Sequence, residues 1–187
     1  MSRSGWFASS VVPFRLVFLM WLVFSVEFFY HIDFSFLGIR PRSATGLLGI
    51  VFAPVLPGDY LHLLSNTVPL LFLGSALYFF YGRIAGSVFA RCYFITNLLV
   101  WMFSPRLSYH IGASGLIYGL AAFLIVFGLV RAELMSLLLS VSVAVVYGGI
   151  FYGVLPSDPR VSWESHLAGA LVGVISAFQF SRVRRVD

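Results

Sequence analysis

The sequence predicts an all-α bundle of six membrane-spanning helices, on three observations. The chain is 60% hydrophobic and only 10% charged. Its mean hydropathy of +0.96 lies far from that of a water-soluble globular domain. Six apolar segments, residues 11–30, 62–81, 84–104, 112–130, 134–155 and 162–181, each reach the length of about 20 residues that a helix needs to cross the hydrocarbon. Together they use most of the 187 residues, so residues 1–187 are expected to form a single membrane domain with no separate soluble unit.

The first segment follows a short, weakly basic start and lacks a small-x-small cleavage site, so it reads as a retained span rather than a signal peptide. Arg15 and Glu27 lie near its two ends, where long side chains can snorkel to the interfaces. The link over 31–61 is the longest. It mixes Asp33, Arg40, Pro41, Arg42, Pro54, Pro57, Gly58 and Asp59 with the apolar run Leu47-Leu48-Gly49-Ile50-Val51-Phe52, which fits a loop resting in a membrane interface. A plain solvated loop is the alternative.

Tyr81-Gly82-Arg83 is expected to turn the chain between segments two and three, and Ser104-Pro105-Arg106 to end segment three. Arg131-Ala132-Glu133 turns it again after segment four. Pro156-Ser157-Asp158-Pro159-Arg160 breaks it before segment six. No direct or inverted repeat of the kind found in many transporters is visible.

The net charge of +5 does not point to nucleic acid, because the 12 basic residues are all arginine and are scattered outside the C-terminal tail. With the N-terminus inside, Arg3, Arg83, Arg91, Arg131, Arg182, Arg184 and Arg185 fall at the inner face. Arg40, Arg42, Arg106 and Arg160 fall outside. That excess predicts both termini in the cytoplasm. The lone cysteine, Cys92, excludes an intramolecular disulfide.

Polar groups at membrane depth are costly and tend to pair or to carry function. Proteolysis there needs a nucleophile, a base and oxyanion donors. A His-Glu-x-x-His metal motif is absent. Asp33, Asp59 and Asp158 lie in loops and Asp187 is terminal, so no aspartate pair sits inside spans. A serine–lysine pair is impossible without lysine. Serine with histidine remains.

Ser114 opens segment four within Gly112-Ala113-Ser114-Gly115, and His166 lies one turn into segment six. A helix start leaves backbone N–H groups free to face an oxyanion. The motif alone reads more readily as small-residue helix packing. Spacing adds weight: Gly115 and Gly119 form one G-x-x-x-G pair, and Gly169 and Gly173 form another. His166 shares the face of the second pair, and Ser114 adjoins the first. Packing these faces together would bring Ser114 and His166 within hydrogen-bonding reach, as a nucleophile and base require.

Tyr118, one turn after Ser114, could lie against the imidazole. Glu164 falls on the far side of its helix, which favours a dyad over a triad. His62 and Asn66, four apart, point the same way and could supply oxyanion donors. An interfacial histidine and a packing asparagine are the alternative. His31 and His110 read as interfacial residues, and Arg91 as a snorkelling residue near the inner face. No metal or cofactor is expected.

The pattern His62-x-x-x-Asn66, Gly112-x-Ser114-Gly115 with Tyr118, and Ser165-His166-x-x-Gly169-x-x-x-Gly173 resembles the rhomboid family of intramembrane serine proteases. The chain looks like the minimal six-helix bacterial form, placed in the inner membrane. The resemblance implies Ser114 as nucleophile, His166 as base, and His62, Asn66 and the Ser114 backbone N–H as oxyanion donors. It also implies a first loop resting partly in the outer leaflet and a fifth span controlling lateral access of the substrate. The chain departs from the family at Ser165, where alanine is frequent. It departs again at Ile39-Arg40-Pro41-Arg42, where many members carry Trp-Arg, and at Tyr78, which is often acidic.

The function expected is therefore cleavage of peptide bonds in or near the transmembrane segments of other membrane proteins, at a site opening outward. Small side chains at the cut and helix-destabilising substrate residues are expected to help. One rival is a non-proteolytic rhomboid-like chaperone or quality-control factor, which would keep its function in Ser114→Ala. The other is a small transporter. It would need a polar stripe through the bilayer, whereas the polar residues here cluster towards one half.

Overall fold

The computed structural model describes residues 5–156 and 161–182. Arg3, Arg160, Arg184, Arg185 and the 157–160 part of the expected break before segment six lie outside the described residues. The described chain is helical and contains no strand. After a short α1 (Trp6–Ser9), α2 spans Val11–Tyr30 and ends at His31, which adopts the left-handed conformation at φ 54°. The following loop carries the four-residue α3 (Gly49–Phe52) between 3₁₀ turns. α4 (Tyr60–Ala90) runs through a π-helical stretch, Arg91–Ile95, into α5 (Thr96–Phe103). α6 covers Ser114–Arg131, and α7 covers Leu134–Tyr147 before tightening into a 3₁₀ segment, Gly148–Val154. α8 covers Trp163–Ser181.

Four of these segments are long and apolar enough to cross a membrane: Val11–Tyr30, Tyr60–Phe103, Ser114–Arg131 and Leu134–Val154. The count differs from six for two physical reasons. Expected segments two and three form one 44-residue helical stretch, interrupted only where Tyr81 leaves helical geometry at φ −130°, ψ 33°. The expected three-residue turn is thus a single-residue break. α8 is not among the four, and its apolar run is interrupted by Glu164, Ser165, His166 and Gln179.

α6 lies at the centre. In its apolar stretch 67% of residues are buried, against 22% in α2 and in Leu134–Val154, whose outer faces carry large apolar side chains such as Phe29 and Val145. Those exposed faces suit lipid rather than water. α6 packs against α4, α7 and above all α8, because small residues let the two backbones touch. A Cβ on Gly169 would collide with the Gly115 carbonyl, and one on Gly173 with that of Gly119. Buried Cys92 closes the third side, against Gly119. At the far end of α6, Arg131 pairs with Glu133 at 2.8 Å. Arg91 donates to Gln179 and covers the Phe180 ring.

The long loop is fastened to the π-helical stretch and α5 through its backbone. Trp101 Nε1 donates to the Ser43 carbonyl at 2.9 Å, Asn97 Nδ2 to Ile50 at 3.1 Å and Tyr93 Oη to Val51 at 2.6 Å. Arg42 Nη1 returns a bond to the Ser104 carbonyl at 2.6 Å. The segment without the frequent Trp-Arg pair is therefore anchored by Arg42 on one side and Trp101 on the other. Leu48 and Val51 stay half-exposed on the loop's outer surface.

Candidate active site

The start of α4, the approach to α6 and the start of α8 meet around a cavity of about 920 Å³. His62, Asn66, Ser114, Tyr118 and His166 all line it. The two parallel rods α6 and α8 set the central geometry. Once Gly115 rests on Gly169 and Gly119 on Gly173, the first residues of the two helices face each other across a fixed distance. Ser114 Oγ and His166 Nε2 lie 2.9 Å apart.

The rest of the His166 ring is equally constrained. Nδ1 lies 2.9 Å from the Gly153 carbonyl oxygen, which can only accept, so Nδ1 carries the proton of the neutral ring. Nε2 is then the bare nitrogen and accepts from the Ser114 hydroxyl. Tyr118 stacks on the imidazole with centroids 4.0 Å apart and planes 8° from parallel, and its hydroxyl donates to the Ile150 carbonyl. A Cβ at Gly153 would collide with the Tyr118 hydroxyl and stand 3.1 Å from His166 Nδ1, so only glycine leaves room for this arrangement.

His62 and Asn66 come from the first turns of α4, capped by Asp59, whose carboxylate accepts the His62 N–H at 2.8 Å. His62 Nδ1 faces the Gly58 N–H at 3.3 Å, which puts the neutral ring's proton on Nε2. Gly112 lets that ring approach. It sits at φ +104°, a conformation natural only to glycine, and a Cβ there would stand 2.8 Å from His62 Nε2. Asn66 Nδ2 gives one hydrogen to the His62 carbonyl at 2.6 Å, leaving its second for the cavity. The first intrahelical bond of α6 is Ile117 N–H to Ala113 O at 3.1 Å, so the N–H groups of Ser114 to Leu116 have no partner within the helix.

Glu164 faces away from the dyad and forms a two-point pair with Arg106. Nε donates to Oε1 at 2.6 Å and Nη2 donates to Oε2, while Nη2 also reaches the Val161 carbonyl at 2.8 Å. The hydrogen bond to Glu164 holds the Arg106 guanidinium above its ordinary range. His110 corrects the interfacial expectation: it is only 3% exposed. It is buried because its backbone pairs with Ile39 in both directions and its ring lies between Ser104 Oγ at 3.0 Å and Ser162 Oγ at 2.7 Å. Burial pushes its pKa down, opposed by the Glu164 charge. Among the described residues, no three His, Cys, Asp or Glu side chains gather as a metal site would require.

Two features leave little trace in residue types. The carbonyls of Gly153 and Ile150 have no sequence signature beyond the glycines of the 148–153 stretch. The His110–Ser162 contact has a faint one, since the two precede Ser114 and His166 by four residues each.

The profile of the Rhomboid domain matches residues 44–183, a stretch that contains every one of these side chains. Uncharacterized proteins of Mycobacterium tuberculosis and Mycobacterium bovis are each 36% identical to this chain, covering 98% of it and 80% of their own length. One from Mycobacterium leprae is 35% identical over 98% of this chain and 76% of its own. A match over three quarters of the chain, together with relatives aligned over nearly all of it, shows that the chain belongs to the rhomboid family, as a helical membrane protein.

Proposed function

We propose that this protein is an intramembrane serine endopeptidase that cuts peptide bonds in or beside the transmembrane segments of other membrane proteins. The observation that carries the reading is the 2.9 Å contact between Ser114 Oγ and a His166 Nε2 left unprotonated by the Gly153 carbonyl. As Ser114 attacks the scissile carbonyl, Nε2 takes its proton, and the Gly153 carbonyl stabilises the imidazolium through Nδ1–H. The orienting part that a carboxylate plays in a triad falls here to a neutral backbone oxygen. His62 Nε2–H, the second Asn66 amide hydrogen and the Ser114 N–H are the donors for the oxyanion. His166 then protonates the leaving amine, and water from the cavity hydrolyses the acyl-enzyme through the same nitrogen.

In this reading residues 1–187 form one domain of six spans. The Tyr60–Phe103 stretch crosses twice about Tyr81, and α8 supplies the sixth span with its polar first turn at the site. The cavity residues gather where α4, α6 and α8 begin, and Arg83, Arg131 and Arg182 lie towards the opposite ends of their helices. This supports termini on the cytoplasmic side of a bacterial inner membrane and a site that opens outward.

Fluorophosphonate labelling of the detergent-solubilised protein tests the proposal. Wild type should take one label, and Ser114→Ala and His166→Ala none. Wild type should also cleave a reconstituted transmembrane substrate that both variants leave intact. Label retained in Ser114→Ala, or cleavage by it, would overturn the assignment.

A further inference from the structure

We propose that His110 is a positioning residue whose bond to Ser162 forms a second rung across the α6–α8 interface and fixes the register of Ser114 against His166. The inference rests on the serine–histidine reading and goes a step beyond it. Ser114 follows His110 by four residues and His166 follows Ser162 by four, so the two bonds, at 2.7 Å and 2.9 Å, join the same pair of segments at the same sequence offset. Below them the glycine contacts set how closely the rods approach, but small residues leave sliding along the common axis weakly opposed. Two rungs, four residues apart in each segment, define that slide and the tilt together.

His110 suits the task because it is tied to every neighbouring segment. Its backbone pairs with Ile39 of the long loop at 2.8 and 2.9 Å. Its Nε2 meets Ser104 at the end of α5, and its Nδ1 meets Ser162, the residue that precedes α8. The groups around the ring favour one direction for the hydrogen bonds. Ser104 Oγ receives the Arg106 N–H at 3.2 Å and faces two groups that only accept, the Arg106 carbonyl at 3.3 Å and Glu164 Oε1 at 3.4 Å. With the Ser104 hydrogen directed to either of them, His110 Nε2–H donates to Ser104. Its bare Nδ1 then accepts from the Ser162 hydroxyl, and Ser162 Oγ receives the Ser165 hydroxyl at 2.7 Å. Ser165 adjoins His166, and its carbonyl lies beside Gly115. The chain of bonds thus runs from the Arg106–Glu164 pair to the residue next to the base. Ser165, an alanine in many rhomboids, is where this chain extends it.

Ser162→Ala removes the rung with little change in volume, and Ser162→Thr restores a hydroxyl. The test is the concentration dependence of fluorophosphonate inactivation of the full-length protein in detergent, with the thermal midpoint measured alongside. Ser162→Ala should lower the maximal inactivation rate by about tenfold, with the half-saturating probe concentration unchanged and the midpoint lowered by only a few degrees, because the dyad is misaligned rather than the cavity lost. Ser162→Thr should recover most of the rate. An unchanged rate in Ser162→Ala, a change confined to half-saturation, or no recovery in Ser162→Thr would overturn the rung while leaving the dyad standing. A wild type that takes no label would overturn the serine reading itself, and this proposal with it.

Discussion

Replacing Gly169 by alanine tests whether the backbone contact between α6 and α8 sets the site. The new Cβ would land on the Gly115 carbonyl, with the carbonyl carbon at 2.9 Å and the Gly115 Cα at 3.3 Å. Neither partner is the free end of a side chain, so the helices must separate by at least about 1 Å to relieve the overlap with the carbonyl oxygen. The overpacking costs about 1–3 kcal/mol, against about 1 kcal/mol gained from the better helix former. A net loss of about 1 kcal/mol is therefore expected. The functional effect is larger. A separation of that size carries the Ser114–His166 contact from 2.9 Å to about 3.9 Å, beyond hydrogen-bond range. A fall of about a hundredfold in fluorophosphonate labelling rate should follow. Gly86→Ala in α4 is the control: a Cβ there meets nothing within 4 Å, so neither labelling nor thermal midpoint should drop. A Gly169→Ala protein that labels at the wild-type rate would refute the idea that this contact positions the pair.

Other consequences follow from the same geometry. Tyr118→Phe keeps the ring on His166 and loses only the bond to Ile150, about 1 kcal/mol, so its labelling rate should stay near wild type. Tyr118→Ala should lose both labelling and about 3 kcal/mol or more of stability, read as a lower thermal midpoint in detergent. Arg106→Ala strands the Glu164 carboxylate, whose side chain is 6% exposed against 29% for Arg106. It should cost about 2–3 kcal/mol, more than Glu164→Gln, which leaves the better-hydrated Arg106 with its bond to the Val161 carbonyl. His110 has its pKa held below the ordinary 6.5 by burial. The stability it contributes is thus complete above pH 6.5 and is lost as pH falls through its folded value. With Glu164 and Arg106 as the charges facing the ring, the wild-type midpoint should fall with pH below 6.5, and His110→Asn should make that limb shallower. Parallel profiles for the two proteins would contradict the assignment.

Much of the helical organisation is legible because lipid imposes a simple rule, in which backbone polar groups are satisfied inside each apolar segment. The boundaries of α2 and α6 are marked where that rule ends, at His31, Ser114 and Arg131. Legibility fails where one residue decides. Tyr81 breaks the long helical stretch by its own dihedral angles, and no residue type announces that the flanking Gly82-Arg83 continue as helix. The sequence marks segment 162–181 as apolar, although Glu164, Ser165, His166 and Gln179 interrupt that run in α8 and weaken its compositional signal.

The site divides along a similar line. Side chains that must lie on one helical face leave a periodic trace, and the glycine pairs of α6 and α8 leave two such traces that fit each other. Carbonyl oxygens leave none. The groups that orient His166 and Tyr118 are the backbone oxygens of Gly153 and Ile150, on a 3₁₀ segment where α7 loses its regular winding. A 3₁₀ turn leaves carbonyls more loosely held than an α-helix does, and so available to outside donors. The price of that availability is a glycine at 153, where any side chain would meet the Tyr118 hydroxyl. The residue most informative about the orientation of His166 is thus one without a side chain, thirteen positions before it and on a different helical segment. His110 reads wrongly from sequence for the opposite reason. Its type suggests an interface, and only the meeting of Ile39, Ser104 and Ser162 around it accounts for a buried, neutral imidazole beside the site.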